Sequence, residues 1–110
     1  MFEGFLEYGR MVESGHGYGG RTMRRTVAVC AGEDAAESLR MALGLMLLDD
    51  HVDVLFMDVL PEERGGIAES IGLLREMGAG LIANVRSASF EFRSDREIAL
   101  MMGAYDLVVT

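Results

Sequence analysis

The fold of this chain is decided by residues 34–58, whose sequence is DAAESLRMALGLMLLDDHVDVLFMD. The first half predicts a helix that is apolar on more than one side, and Asp34 with Glu37 three residues later has the spacing of a capping box. Two aspartates interrupt the apolar run, and Val52–Met57 is predicted as a strand that is apolar on both faces. A helix and a strand of this kind are typical of one layer of a parallel α/β sheet.

Further strands and helices are predicted on both sides of this stretch. In chain order they are the strand Thr26–Ala31, the helix Ile67–Met77, the strand Ala79–Val85, a loop over residues 86–93, the helix Asp95–Met102 and the strand Tyr105–Val109. Gly78 suits the C′ position after the second helix, and Ser94 with Glu97 forms a capping box at the third. Because parallel strands need right-handed crossovers, the β-α-β-α-β-α-β order predicts a single-domain α/β fold, an open parallel sheet with flanking helices.

Composition and charge exclude several classes of function. The chain has 110 residues, enough for one domain with its own core, and half of them are hydrophobic. Residues 26–110 carry six Arg against fifteen Asp and Glu, so the folded part repels phosphate backbones and nucleic acid is not an expected partner. All ten basic residues are Arg, which excludes a Schiff-base lysine and the lysine of a phosphate-binding loop.

The same composition predicts a cytoplasmic protein. A single Cys cannot form an internal disulfide, which fits a reducing compartment. No apolar run approaches the roughly 20 residues of a membrane span, so no membrane association is expected. Glu3 and Glu7 stand where a secretory signal would carry positive charge.

Residues 1–22 are predicted to be an extension in front of the folded domain, and the alternative is a wrongly assigned start, with the true one at Met23. Residues 1–14 have the pattern of a short amphipathic helix, and residues 15–22 form a glycine-rich linker. The linker matches the dinucleotide-binding pattern GxGxxG. That pattern requires a preceding strand, whereas here it comes before the first one. We therefore predict residues 23–110 as the domain.

A candidate ligand site is predicted at the carboxyl ends of the strands, where ligands bind in open α/β sheets. If the first and third strands are neighbours, a crevice opens between their ends. Its residues are Cys30, Gly32 and Glu33 on one side, Asn84, Arg86 and Ser87 on the other, and Asp58 at the end of the second strand. These side chains would make a small-ligand or anion site.

Three of these residues allow more than one interpretation. Cys30 is the single thiol, but Glu33 and Asp34 oppose the lowered pKa that a reactive thiol needs, so it could instead fill space in an apolar strand. Asp58 could hold a ligand or cap the following loop. Arg86 could bind an anion or a partner carboxylate, or remain solvated in its loop.

Neither a metal centre nor a cofactor site is predicted. His16 and His51 have no second ligand at metal-binding spacing, and neither Ser87 nor Ser89 has a base partner for a catalytic triad. Phe90 and Phe92 alternate in a polar loop. If exposed, they would form an apolar patch suited to a subunit interface, and the alternative is packing within the domain.

Residues 26–110 resemble the DsrE/DsrF-like group of small sulfur-metabolism proteins. The resemblance rests on AESLRMALGLMLLDDHVDVLFMD, on LLREMGAGLIANV and on the terminal DLVVT. The second strand with its final acid, LFMD at 55–58, is most similar to the DsrF (TusC) branch. The resemblance implies a flavodoxin-like, three-layer fold and homo- or hetero-oligomers, in which some subunits relay sulfur as a cysteine persulfide.

The chain departs from the sulfur-carrying members at one position. In those subunits the carrier cysteine follows the third strand, whereas here residues 82–87 read IANVRS. The resemblance therefore implies a non-catalytic subunit that completes an assembly with itself or with related subunits. The alternatives are a sulfurtransferase that accepts persulfide sulfur on Cys30, or a small-ligand module.

Overall fold

The structure is a computed structural model, and residues 25–110 are the part that it describes. The predicted extension of residues 1–22 lies outside this part. The strands are β1 (Thr26–Ala31), β2 (His51–Phe56), β3 (Gly80–Ala83), β4 (Glu91–Phe92) and β5 (Leu107–Val109). The helices are α1 (Ala35–Leu47), α2 (Gly65–Glu76) and α3 (Asp95–Met102).

The five strands form one parallel sheet in the order β4-β3-β2-β1-β5. The predicted parallel α/β fold is confirmed. One element was missed: the predicted loop at residues 86–93 contains β4, which pairs with β3. The strand predicted at Ala79–Val85 is shorter than expected, because only four of its residues join the sheet.

The direction of each crossover decides which face of the sheet a helix covers. From β1 to β3 the chain moves steadily toward one edge of the sheet, and then α3 carries it back to β5 beyond β1. A right-handed crossover that runs the opposite way passes over the opposite face. Accordingly, α1 and α2 pack on one face and α3 packs on the other, which gives three layers.

The larger core lies between the sheet and the pair α1 and α2. Alternate residues of β1 and β2 point into it, as the two-residue period of a strand requires. Its buried residues are Val27, Val29, Leu39, Ala42, Leu45, Met46, Val52, Val54, Phe56, Ile71, Leu74, Leu81, Ala83 and Phe90. Burial on this scale is the main stabilising contribution to the fold.

The smaller core lies under α3. It contains four buried residues, Ala28, Leu55, Ile82 and Ile98, with Cys30, Met101, Met102, Tyr105 and Val108 packed partly buried around them. A helix of eight residues cannot cover the whole face of a five-stranded sheet. This face therefore keeps more of its side chains in contact with water.

The predicted starts of α1 and α3 and the predicted end of α2 are confirmed, whereas α2 begins at Gly65, two residues before the predicted Ile67. The Asp34 side chain accepts a hydrogen bond of 3.1 Å from the Glu37 N–H. Ser94 and Glu97 form the full capping box, and the hydrogen bond from the Ser94 N–H lowers the pKa of Glu97. Gly78 has a φ of 90°, the left-handed conformation that ends a helix. None of the described helices combines the length and apolar character that crossing a bilayer requires.

Candidate functional site

The strand order separates the predicted site residues into two groups. Strands β1 and β3 are not neighbours, because β2 lies between them. The predicted crevice between the ends of the first and third strands therefore does not form. Gly32 and Glu33 follow β1 and line a cavity, whereas Asn84, Arg86 and Ser87 follow β3 at the far side of β2.

Asn84 joins three elements through a cluster that contains Asp58, Asn84 and Asp95, here named the Asn84 cluster. Its side-chain Nδ2 donates to Asp58 Oδ1 at 2.9 Å and to Asp95 Oδ1 at 2.7 Å. Its Oδ1 accepts from the Asp58 N–H at 2.6 Å. The whole amide is thereby used to tie the end of β2 to the end of β3 and the start of α3. These contacts give Asp58 and Asn84 a structural role.

Asp58 itself has a φ of 72°, in the left-handed region. Asp adopts this conformation more readily than most residues, because its short side chain can hydrogen-bond locally. Here the carboxylate accepts from Asn84 while the backbone N–H donates to the same side chain. The chain therefore turns sharply as it leaves β2.

Arg86 and Ser87 contact neighbours within their own segment. The Arg86 guanidinium lies 4.1 Å from the ring centroid of Phe92, a cation–π distance. The Ser87 hydroxyl accepts a hydrogen bond of 3.2 Å from the Phe90 N–H. Neither side chain lines the cavity beside Glu33.

Of the two alternatives for Phe90 and Phe92, packing within the domain describes Phe90. Phe90 is 6% exposed, and its ring centroid lies 4.7 Å from that of Phe56 in the larger core. Arg75 covers this region from α2, with its guanidinium 5.9 Å from the Phe90 ring centroid and hydrogen-bonded to the Ser89 carbonyl. Phe92 is half-buried beneath Arg86. Alternation in a short loop could not distinguish packing from exposure.

Cys30 faces the smaller core and does not line the cavity. It is half-buried on β1 beside residues of that core. Burial raises the pKa of its thiol above the ordinary value. Since the thiolate is the nucleophile, this environment disfavours reactivity. The contacts agree with the interpretation of Cys30 as a space-filling residue.

A cavity of about 630 Å³, here named the carboxyl-edge cavity, lies at the carboxyl ends of the strands. It lies where β1 leads into α1 and β2 leads into α2. Nine of its lining residues are apolar: Ala31, Ala35, Ala36, Phe56, Met57, Val59, Leu60, Pro61 and Ile67. The other four are Gly32, Glu33, Asp34 and Glu62. Among residues 25–110, no Arg or His lines the cavity, so this lining does not favour an anion.

A second cluster of polar side chains lies at the amino ends of the strands, under α3. The Tyr105 hydroxyl donates to Asp53 Oδ2 at 2.6 Å, and His51 Nε2 lies 3.4 Å from Asp53 Oδ1. Burial, followed by the hydrogen bond to Asp53, raises the pKa of Tyr105. A smaller cavity of about 310 Å³ adjoins these side chains.

Gly80 makes room for this polar cluster. A Cβ atom at Gly80 would lie 2.1 Å from Asp53 Oδ1, so any larger residue would displace the carboxylate. Sequence reasoning missed the cluster, because Tyr105 and Asp53 are 52 residues apart. The available signal was a carboxylate inside an apolar strand, which needs a partner when it is buried.

Within residues 25–110, no three His, Cys, Asp or Glu side chains come together as a metal-binding group. Comparison with protein-family models, with curated proteins and with solved structures gave no match to this chain.

Proposed function

We propose that this chain is a cytoplasmic, non-catalytic DsrE/DsrF-like subunit, which acts in sulfur metabolism by assembling with a second copy or with a related subunit. The proposal rests on the hydrogen bonds of the Asn84 side chain. It follows β3, where the resemblance would place a carrier cysteine, and its amide is fully occupied by Asp58 and Asp95. A residue used in this way holds the fold together and carries no sulfur.

The environment of Cys30 supports the same proposal. A persulfide carrier must present its thiolate to a donor and then to an acceptor. Cys30 is half-buried, and its pKa is raised by burial. Two polar side chains on this face, Asp53 and Tyr105, form a hydrogen-bonded pair that brings no positive charge to stabilise a thiolate.

Exposed aliphatic side chains support the assembly part of the proposal. Leu47 at the end of α1 is 77% exposed and Leu100 on α3 is 72% exposed. Single exposed aliphatic residues are common on monomers. These two lie on helices of opposite faces of the sheet and define two surfaces, each of which can be tested separately as an interface.

Sedimentation velocity at micromolar concentrations tests the proposal. We expect a species larger than one chain. We also expect Leu47→Gln or Leu100→Gln, whichever lies in the interface, to weaken the association about tenfold. Glu69→Gln, an exposed change on α2, is the matched control. A clean monomer, with no partner recovered from the native source, would contradict the proposal.

A further inference from the structure

We propose that the carboxyl-edge cavity binds a small organic cation, an ammonium group carried on an apolar body. This goes beyond the assembly role, because it concerns a ligand and does not depend on any subunit contact. The cavity of about 630 Å³ falls within the range of small-molecule sites, roughly 300–1,000 Å³. It lies beyond the carboxyl ends of two parallel strands, the edge of an open α/β sheet where ligands bind, but between β1 and β2 and not where the strand order reverses between β1 and β5.

The apolar walls determine the body of the ligand. Phe56 closes the cavity on the side of the sheet and is 2% exposed, so it is held in place by the larger core. Ala35 and Ala36 contribute only methyl groups at the start of α1 and leave the space open. Met57 and Val59 are 37% and 75% exposed, so a bound apolar group would remove their side chains from water.

The charges around the cavity determine the sign of the ligand. Glu33 makes no hydrogen bond or ion pair with any residue in the described part of the chain, and its carboxylate is exposed at the cavity. Glu62 is paired with Arg64 at 3.3 Å, which leaves Glu33 as the acceptor for a cation. An anion would meet Glu33 and Asp34, and no residue of the described lining brings an opposing positive charge.

The start of α1 does not reverse this preference. The N-terminus of a helix attracts anions through its free N–H groups and its dipole. Here the Asp34 carboxylate already accepts from the Glu37 N–H, so a negative charge of the protein occupies the anion position. The Ser38 hydroxyl likewise accepts from the Gly32 N–H at 3.3 Å. The cavity therefore selects for positive charge.

Three probes of nearly the same size separate charge from shape: phenethylamine, phenethyl alcohol and phenylacetate. Titration of the folded protein, followed through backbone amide resonances, should show saturable shifts at Ala35, Ala36 and Val59. The amine should bind most tightly, with roughly millimolar affinity as suits a fragment of this size. The alcohol should bind more weakly, and phenylacetate should bind least.

Variants of Glu33 test the origin of the preference. Glu33→Gln should weaken phenethylamine about two- to fivefold, the range for an exposed ion pair, and should leave the alcohol unchanged. Glu33→Arg should reverse the preference of the cavity for a cation over an anion, so that phenylacetate binds better than phenethylamine. Glu69→Gln removes an exposed charge from α2 and should change nothing. The proposal is overturned if no shift saturates, if the shifts lie away from the cavity, or if phenylacetate binds the unmodified protein as well as the amine does.

Discussion

The two faces of the sheet bury different numbers of side chains. Fourteen buried residues lie between the sheet and α1 with α2, whereas four lie under α3. The face under α3 also holds the polar side chains Asp53 and Tyr105 and the thiol of Cys30. The difference indicates that the first face supplies most of the stability, while the second accommodates Asp53 and Tyr105 through the hydrogen bond between them.

The largest expected change in stability comes from truncating one buried aliphatic side chain on each face of the sheet. The two losses of unfolding free energy can then be compared. Leu39→Ala, in the larger core, should lower the free energy of unfolding by about 3–5 kcal/mol. Leu39 is 0% exposed, and the space left by its truncation is filled only in part by the neighbouring side chains. Ile98→Ala, in the smaller core, should cost about 2 kcal/mol, since its surroundings are partly open to water. Urea denaturation measures both. Equal losses would contradict the unequal packing.

A methyl group at Gly80 tests how closely the polar cluster is fitted under α3. Gly80→Ala should cost about 1–3 kcal/mol, since the new Cβ would lie 2.1 Å from Asp53 Oδ1 and the carboxylate must move. In an Asp53→Ala background the same change should cost less than about 1 kcal/mol. A full double-mutant cycle by urea denaturation gives the coupling. Additive losses would show that Asp53 does not require the glycine.

The pH dependence of the unfolding free energy tests the ionisation of a buried carboxyl group, that of Asp50, in the turn after α1. Asp50 is 5% exposed, and burial together with the negative charge of Asp106 raises its pKa to about 6. The folded state therefore binds a proton that the unfolded state lacks, from about pH 6 down to the ordinary Asp pKa of 3.8. From this group, the free energy of unfolding should fall as the pH rises through that window.

Asp50→Asn should remove this slope. At pH 7 the variant should be more stable than the unmodified protein by about 1–2 kcal/mol, and the difference should shrink toward pH 4. Thermal or urea unfolding at several pH values measures it. The matched control is Asp49→Asn, in the same turn but exposed. A variant that is less stable at pH 7 would show that the ionised carboxylate contributes favourably.

Removing a helix cap should give the smallest change in stability. One cap lies on each face of the sheet, so the two faces can be compared again. Asp34→Ala on α1 and Ser94→Ala on α3 should each cost about 0.5–1 kcal/mol, because each removes a side-chain acceptor for a backbone N–H. Hydrogen exchange should then distinguish the faces. Loss of the Ser94 cap should increase exchange mainly in α3, since the smaller core holds that helix less firmly. A global increase in exchange from Ser94→Ala would contradict this view.

The elements that could be predicted from sequence are those with local causes. The apolar strand Thr26–Ala31 was placed correctly, because a run of that length bounded by Gly32 has few alternatives. The capping box at Ser94 and Glu97 located the start of α3 to the residue, since its two hydrogen bonds lie within four residues. Gly78 marked the end of α2 for the same reason.

The features that could not be predicted depend on pairing between distant residues. No local sequence pattern indicates that β2 lies between β1 and β3. The crevice expected between the ends of the first and third strands was therefore placed wrongly. Phe90 packs on Phe56, 34 positions earlier in the sequence, and alternation with Phe92 gave no sign of it. The carboxyl-edge cavity likewise arises from two connections that the strand order brings together. The ligand roles assigned to Gly32, Glu33, Asp58, Asn84, Arg86 and Ser87 stay predictions.

Intact-mass spectrometry of the folded, reduced protein after exposure to a sulfane-sulfur donor tests the central claim most directly. The urea-unfolded protein, in which the single thiol is exposed, is the positive control, and Cys30→Ser is the negative control. A non-catalytic subunit should gain no sulfur in the folded state, while the unfolded chain should gain one sulfur atom at Cys30. A gain of one sulfur atom by the unmodified protein that disappears in Cys30→Ser would make Cys30 a carrier and contradict a non-catalytic subunit.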